Sequence, residues 1–320
     1  MSGDPREIVR VEGLVKEFPV GLGLRRKRVL NGISFRVLEN EIFGFVGPNG
    51  AGKTTALKVL MGLIRPSGGR ARILGHDVGE TEFRRHVGFL PENPYFYEYL
   101  TAREILGFYA RLSGLSGARI GRRVEMLLEW VGLAHAADAR LRTYSKGMLQ
   151  RVGIAQALVH DPAVVFLDEP MSGLDPIGRK EIRDLILRLH AEGKTVFMNT
   201  HILSDVELIC DRVAIIVSGA IRYEGRIQDF LAAGELETDV VLAEVPPAFA
   251  EALERRFGPL RGKGQHVDLK LPTKALHELL EQALAAGAEV VSVTPHRASL
   301  ESIFLSAVQG AAAEPRRAAS

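Results

Sequence analysis

The chain has 320 residues, 46% apolar and 25% charged, which is enough for two domains with a sizeable buried core. Its 41 Lys and Arg residues against 39 Asp and Glu leave a net charge of only +2, which argues against a protein that binds nucleic acid through a basic surface. The single cysteine, Cys210, excludes an internal disulfide and a cysteine-rich zinc site. There is no signal-peptide pattern and no run of about 18 apolar residues, so we expect a soluble chain that reaches a membrane only through a partner.

Hydrophobic patterning and chain breakers divide the sequence into three regions. Residues up to about Leu100 are predicted to form mostly strands, with one helix that begins beyond Gly52. Residues of about 101–160 have helix-period apolar positions interrupted by glycines, which predicts a helical subdomain. After Pro162, short apolar runs alternate with helical segments as far as Val217. This alternation predicts an α/β fold with a largely parallel sheet.

A smaller unit follows this first domain of residues 1–235 and covers about residues 236–308. Apolar and polar residues alternate over His266–Leu271, which predicts a strand, and Thr273–Ala286 has the pattern of an amphipathic helix. A further strand and a final helix complete a small α+β domain. The last residues, 309–320, have little to bury and are predicted to be disordered.

A glycine-rich segment at positions 47–55 reads GPNGAGKTT and matches the GxxxxGK[ST] pattern between a predicted strand and a predicted helix. Its glycines let successive amide groups point at phosphate oxygens, and Lys53 and the helix N-terminus add positive charge and further N–H donors. The Thr54 hydroxyl is placed to ligate a Mg²⁺ ion shared with the nucleotide. The predicted phosphate-binding residues are Gly47, Pro48, Asn49, Gly50, Ala51, Gly52, Lys53, Thr54 and Thr55.

Two acidic residues, Asp168 and Glu169, follow the apolar run Ala163–Leu167. An unpaired carboxylate at the end of a buried strand costs several kcal/mol, so both residues need a functional reason. The carboxyl ends of strands in an open α/β sheet are where ligands bind. We predict that Asp168 holds the Mg²⁺ shell and that Glu169 acts as general base on the attacking water.

Further short motifs occur in the order found in one family. They are Phe18 ahead of the glycine-rich loop, Pro91-Glu92 after a predicted strand, YSKGM at 144–148, SGLD at 172–175, and His201 after the strand Thr195–Asn199. Together with the phosphate loop and the acid pair, they resemble the nucleotide-binding subunits of ATP-binding cassette (ABC) transporters over about residues 8–230. This resemblance implies a P-loop NTPase core with a mixed or parallel sheet and a helical subdomain, and ATP and Mg²⁺ as cofactors.

The resemblance also implies roles for individual residues. It places Phe18 against adenine and makes His201 the γ-phosphate sensor that also holds the attacking water. The signature residues Ser145 and Gly147 lie at the start of a predicted helix, whose N–H groups form a second anion site. In the family this signature covers the γ-phosphate held by a second copy, which implies a dimer that encloses two ATP molecules, with Asp175 of the D-loop also at the nucleotide.

Two residues depart from the family pattern. Lys146 stands in a signature that usually reads Leu-Ser-Gly-Gly-Gln, and it either adds positive charge near the partner's γ-phosphate or points to solvent. Glu92 replaces the usual glutamine, which keeps an oxygen ligand for Mg²⁺ or water and adds a charge. Because Glu169 and His201 are both present, a homodimer is sufficient for hydrolysis.

Two surface features remain. Four aromatic residues fall within Tyr95–Tyr99, and five consecutive positions on irregular backbone cannot all face one core, so we predict an exposed aromatic patch. In the family a helix of the membrane partner docks here; packing between the helical region and the sheet is the alternative. The basic run Arg25–Arg28 is expected to be a solvated loop, with contact to anionic lipid or to an acidic partner loop as the alternative.

These observations predict an ATP-binding and ATP-hydrolysing subunit of an ABC transporter that powers a separate membrane permease through ATP-driven dimerisation. The unit at 236–308 resembles the accessory domain of bacterial ATPase subunits that are often paired with exporter-type permeases, so export is expected. The predicted partners are the permease and a second copy or a related ATPase subunit, with no nucleic acid. The expected location is cytoplasmic, at the inner face of the cell membrane through the permease. The alternative is a soluble ABC ATPase that remodels or assembles a protein complex.

Overall fold

The computed structural model describes residues 6–21, 25–229, 237–258, 260, 266–296, 300–301 and 304. The chain divides into two compact units, one that extends to Ile227 and a second over Gln228–Ile303. The sequence interpretation placed this boundary slightly later, after residue 235. The tail predicted to be disordered, 309–320, lies outside the described residues.

The first unit combines two sheets with helices. Its strands are β1 (Glu7–Val20), β2 (Arg25–Leu38), β3 (Ile42–Val46), β4 (Gly68–Ile73), β5 (His76–Asp77), β6 (Val87–Leu90), β7 (Val164–Asp168), β8 (Thr195–Thr200), β9 (Arg212–Val217) and β10 (Ala220–Arg226). Its helices are α1 (Lys53–Leu60), α2 (Ala102–Leu112), α3 (Ala118–Trp130), α4 (Lys146–Leu158), α5 (Pro176–Ala191) and α6 (Leu203–Ile209).

The central sheet has six strands in the order β10-β9-β3-β8-β7-β6. All pairs are parallel except the one between β10 and β9, which confirms the predicted largely parallel α/β sheet. Every residue of β3, β7, β8 and β9 is buried, as expected for parallel strands covered on both faces. The carboxyl ends of β3, β8, β7 and β6 therefore lie side by side along one edge of the sheet.

An antiparallel sheet in the order β2-β1-β4-β5 accompanies it. The basic run Arg25–Arg28 belongs to β2, so the expectation of a loop was wrong; Arg26 and Arg28 form ion pairs with Glu17 across the hairpin at 3.7 and 2.9 Å. No strand was predicted at β4, which opens with two glycines. Gly69, at φ +76°, lets β4 pass so close to Gly13 that a Cβ would collide with the carbonyl of Gly13.

The predicted helical subdomain forms from α2, α3 and α4. Thr101 starts α2 with a capping box: its hydroxyl accepts from the Glu104 amide, and the Glu104 carboxylate accepts from the Thr101 amide. The helix α4 is buried on most sides because it packs on β6 as well as on α2, α3 and α5. Among the described residues, no helix has both the length and the hydropathy to cross a membrane.

The second unit is a small α+β domain. Its elements are β11 (Glu237–Ala243), α7 (Pro247–Phe257), β12 (His266–Pro272), α8 (Leu276–Ala285) and β13 (Glu289–His296). The strands form an antiparallel sheet in the order β12-β11-β13. Its core is apolar and is built from Val240, Leu242, Leu253, Leu269, Leu271 and Leu279. The final helix predicted after residue 299 lies largely outside the described residues.

Candidate functional site

The predicted site residues follow four neighbouring strands at the carboxyl edge of the six-stranded sheet. The glycine-rich loop follows β3, Asp168 and Glu169 end β7, His201 follows β8, and Glu92 follows β6. These segments are far apart in the sequence. The parallel order of the strands brings them to the edge where α/β proteins bind ligands.

The glycine-rich loop is a tight turn between β3 and α1. The Lys53 ammonium folds back and donates to the carbonyl oxygen of Gly47 at 2.8 Å. A Cβ on Gly47 would collide with the carbonyl oxygen of Ile216, whereas one on Gly50, at φ +80°, would meet no atom within 4 Å. The loop thus closes against β9 at one end and stays open at its middle, which is the shape of a phosphate cradle.

Lys53 is only 6% exposed, and its Nζ lies 3.6 Å from Oε1 of Glu169. Burial lowers the pKa of Lys53, and the nearby charges of Glu169, Asp168 and Glu92 partly oppose this effect. A buried ammonium that faces carboxylates at a strand edge is ready to exchange them for phosphate oxygens.

Asp168 ends β7 and is buried beside Asn199 of β8. The Asn199 Nδ2 donates to the Asp168 carboxylate, while the Asn199 Oδ1 is buried with no hydrogen-bond partner among the described residues. Burial raises the pKa of Asp168, although the hydrogen bond from Asn199 lowers it. An orphaned oxygen beside a desolvated carboxylate points to a missing donor or cation.

Glu169 has an unusual backbone with φ 48°, a left-handed conformation that side chains other than glycine rarely adopt. Its amide donates to the Asn199 carbonyl at 2.8 Å. Its Oε2 lies 2.9 Å from Nδ1 of His201 and 3.4 Å from the Thr200 hydroxyl. Because Glu169 is buried and the His201 side chain is 42% exposed, the pair connects the interior of the site with its surface.

The donor set at this edge fits Mg²⁺. The described residues contain no cluster of three His, Cys, Asp or Glu side chains that could bind a metal alone. Mg²⁺ needs only one or two protein oxygens when substrate phosphates and water supply the rest, and Asp168 with Thr54 at the first turn of α1 offers these oxygens. Glu92 is exposed, and its charge contributes to the pKa shifts of Asp168 and Lys53, so it lies near them. Its role as a metal ligand stays a prediction.

Phe18, the predicted adenine-stacking residue, lies on β1 and is 37% exposed. The Lys16 Nζ lies over its ring, 5.0 Å from the centroid. Across the hairpin, Phe18 pairs with Lys27. Stacking on adenine stays a prediction.

The residues predicted for the second copy's nucleotide lie at the starts of two helices. The Ser145 hydroxyl caps α4 by accepting from the Met148 amide at 3.2 Å, and Gly147 lies in the first turn. Asp175 caps α5 by accepting from the Gly178 amide at 2.8 Å. The sequence interpretation missed this cap, although an Asp followed by Pro176 at the first helical position is a known helix start.

The aromatic segment after Glu92 is exposed, as predicted. Tyr95, Tyr97 and Tyr99 are 90%, 52% and 65% exposed, while Phe96 is buried at 7%. The rings of Tyr97 and Tyr99 lie 5.7 Å apart. The segment therefore presents three tyrosines at the surface and uses one ring as its anchor.

Comparisons with known proteins agree with this geometry. The sequence model of the ABC transporter family matches residues 30–172. An uncharacterized ABC transporter ATP-binding protein of Nostoc sp. is 42% identical over 94% of this chain and 90% of the relative. A fluoroquinolones export ATP-binding protein of Mycobacterium tuberculosis is 40% identical over 67% of this chain and 69% of the relative. The solved structure of cbiO1 from Clostridium perfringens, described as part of the ABC transporter complex cbiONQ, has a TM-score of 0.64 and 26% identity over 79% of this chain and 96% of that one.

Proposed function

The chain belongs to the ABC transporter ATP-binding proteins and is the ATPase subunit of such a transporter, and we propose that two copies close on two ATP molecules to drive a separate membrane permease. The observation that carries this proposal is the Glu169 carboxylate, held between the Lys53 ammonium and the His201 imidazole at the carboxyl edge of the sheet. Lys53 is the proposed phosphate-binding cation, Glu169 the proposed general base, and His201 the group that orients the attacking water.

In the proposed reaction the amides of residues 47–55 and the N-terminus of α1 hold the ATP phosphates. Lys53 leaves Glu169 and binds the β- and γ-phosphate oxygens. This frees the Glu169 carboxylate to accept a proton from a water molecule, which His201 positions against the γ-phosphorus. The new bond is water oxygen to phosphorus; the bond to the bridging oxygen of ADP breaks, giving ADP and phosphate.

The chemistry that Mg²⁺ would supply in this site is neutralisation of the negative charge that develops on the phosphates. Thr54 and Asp168 are the proposed ligands, with Glu92 as a further oxygen. Asn199 orients Asp168 through its amide, and its orphaned Oδ1 is free to accept from water in the metal shell. Phe18 is the proposed stacking residue for adenine.

The dimer follows from the second anion site. The exposed Ser145 and the amides around Gly147 lie at the N-terminus of α4, where a phosphate group is stabilised by N–H donors and by the helix dipole. We propose that they contact the γ-phosphate in the partner copy, together with Asp175 of the D-loop.

We further propose that the permease docks on Tyr95, Tyr97 and Tyr99 and that transport is export. The exposed tyrosines support the first point, because rings that carry a polar tip are favoured at protein interfaces. The fluoroquinolones export relative supports the second point. This arrangement would hold the subunit at the inner face of the cell membrane. The unit over Gln228–Ile303 is then an accessory domain of the exporter.

The variant Glu169→Gln tests the proposal. We expect ATP hydrolysis to fall by roughly 10²- to 10⁴-fold, the usual loss for a general base, while ATP binding persists and ATP converts the protein to a dimer in light scattering. The matched control is Glu129→Gln, an exposed carboxylate on α3 that lies outside the site. Wild-type hydrolysis by Glu169→Gln, or a monomer at saturating ATP, would refute the proposed function.

The permease itself is tested by affinity purification of Glu169→Gln protein from detergent-solubilised native membranes. A multi-spanning partner that is lost on Tyr95→Ala and Tyr97→Ala supports the transporter. Recovery of soluble proteins only, while a control membrane complex survives, supports the alternative of a soluble remodelling ATPase.

A further inference from the structure

Lys146, the residue that departs from the family signature, is exposed, but its side chain also lies against Gly173. A Cβ placed on Gly173 would collide with the Lys146 Nζ and would lie 3.5 Å from its Cε and 3.8 Å from its Cδ. The lysine side chain thus lies along the α-carbon of Gly173, with its ammonium against the backbone. Gly173 has φ +66°, a left-handed conformation that favours glycine.

Gly173 belongs to the turn that connects Glu169 with α5. The Ser172 amide donates to the Glu169 carbonyl at 3.1 Å, and the Leu174 amide donates to the Met171 carbonyl at 3.5 Å. A second contact joins the same two segments, because a Cβ on Gly147 would lie 4.0 Å from Cδ2 of Leu174. The start of α4 is therefore packed on the turn that begins at Glu169, within one chain.

This turn matters because Glu169 is held in a strained conformation. A residue other than glycine is strained at φ 48° and keeps this conformation only where its surroundings fix it. The hydrogen bond from Ser172 ties the Glu169 carbonyl to the turn, and the Lys146 side chain lies against Gly173 of the same turn. Loss of the ammonium would let the turn relax and the Glu169 carboxylate move away from His201.

We propose that Lys146 is a positioning residue for ATP hydrolysis: it holds the turn at 170–174 against α4 and so keeps Glu169 aimed at the attacking water. The proposal rests on the proposed function of Glu169 as general base. It assigns Lys146 to the hydrolytic site of its own chain rather than to the γ-phosphate in the partner copy.

The test compares Lys146→Met, which keeps the aliphatic stem, with Lys146→Arg, which keeps a charge. We expect Lys146→Met to lower kcat by about tenfold and to leave KM for ATP within about twofold, because the ground-state phosphate contacts are intact. Lys146→Arg should recover part of the lost kcat. Lys180→Met, an exposed lysine at the start of α5, is the matched control, and thermal unfolding verifies that each variant is folded.

A second measurement separates this inference from the proposed function. Glu169→Gln alone must form an ATP-dependent dimer; if it does not, the proposed function fails first. If it does, Lys146→Met in the Glu169→Gln background should dimerise at the same ATP concentration. A raised KM together with loss of this dimer would place Lys146 at the partner's phosphate and overturn the inference. Unchanged kcat and KM in Lys146→Met would overturn it equally.

Discussion

The amino ends of the parallel strands form one edge of the six-stranded sheet, the amino edge, and their carboxyl ends form the opposite one, the carboxyl edge. Both edges contain buried charges, but the charges are arranged differently. At the amino edge, Arg212 begins β9 and is paired with Glu41 at 3.1 Å and with Glu224 at 2.7 Å. Glu41 also accepts from the Leu38 amide at 2.8 Å. At the carboxyl edge, Asp168 and Glu169 are consecutive buried carboxylates.

The number of charges does not distinguish the edges, since Arg212 and Lys53 each face two carboxylates; the completeness of the hydrogen bonding does. Of the buried ammonium and guanidinium groups that the structure describes, Lys53 alone faces these two carboxylates, and the Asn199 Oδ1 beside them is unpartnered. Buried charge by itself does not indicate function, since a fully hydrogen-bonded ion pair serves the fold. A buried polar group that lacks a partner, and that a ligand would complete, indicates a site.

The largest effect is expected for Gly47→Ala at the carboxyl edge. The added methyl group would collide with the Ile216 carbonyl of β9, which must displace the phosphate loop, since a backbone atom cannot move aside cheaply. We expect the ATP dissociation constant to rise by more than about 100-fold, roughly 3 kcal/mol. Titration with a fluorescent ATP analogue measures this change.

Gly50→Ala is the matched control within the same loop. Its φ of +80° adds strain of roughly 1–2 kcal/mol, but a Cβ there meets no atom within 4 Å. Its affinity loss should therefore be several-fold smaller. Equal losses in the two variants would show that backbone strain, rather than the packing of the loop on β9, controls the site.

The carboxyl edge could be predicted from the sequence because its parts are short contiguous motifs. The glycine-rich loop, Asp168-Glu169 and His201 each follow an apolar strand, and strand order alone then brings them together. The residue types of each motif and the alternation of strands and helices can both be inferred from the sequence, which is why the six-stranded sheet was predicted as largely parallel.

The amino edge could not be predicted, because its pairs are distant in sequence. Glu41 and Arg212 are 171 positions apart, and nothing local marks either as a partner of the other. Asn199 was missed for a related reason: it appeared as an ordinary strand residue until its register opposite Asp168 was known. The contact of Lys146 with Gly173 likewise depends on tertiary packing of α4.

The next effect contrasts isosteric changes at the two edges. Burial raises the pKa of Glu41 as well, but its carboxylate accepts from the Leu38 amide and from Arg212, a buried guanidinium that Glu41→Gln would leave with Glu224 as its charged partner. Hydrogen bonds to charged groups contribute about 1.5–3 kcal/mol. We expect the free energy of unfolding to fall by about 2 kcal/mol in urea titration. ATP affinity should not change, since this edge lies opposite the phosphate loop.

Asp168→Asn is the counterpart at the carboxyl edge. It keeps an oxygen that accepts from Asn199 and removes a carboxylate whose pKa burial raises, that is, whose charge the fold disfavours. The nucleotide-free protein should be as stable as the wild type or more so, while hydrolysis is lost. If Asp168→Asn lowered the free energy of unfolding as much as Glu41→Gln does, the two edges would not differ in the way proposed.

The smallest effect concerns His160, a half-buried titratable group at the amino edge. Its Nε2 lies 3.0 Å from the carbonyl of Val87, the first residue of β6. Burial lowers the pKa of His160 and outweighs the hydrogen bond with Val87, which raises it; Arg123, Asp161 and His86 have smaller effects of mixed sign. The unfolded chain therefore binds the proton more tightly, so this group's stabilisation is complete above about pH 6.5 and is lost as the pH falls through the folded-state pKa.

We therefore expect the thermal midpoint to drop on acidification from neutral pH, and to drop less in His160→Gln, whose side-chain amide can still donate to Val87. His135→Gln, at an exposed position, is the control and should keep the wild-type slope. The wild-type pair consists of a neutral imidazole and a carbonyl, so the difference in thermal midpoint between the wild type and His160→Gln should vanish above neutral pH. At that pH the two proteins should also have the same affinity for ATP. A difference in thermal midpoint between the wild type and His160→Gln that persists at alkaline pH would show that lost packing, rather than protonation, explains the variant. Protonation of His160 would then not be what destabilises this edge of the sheet.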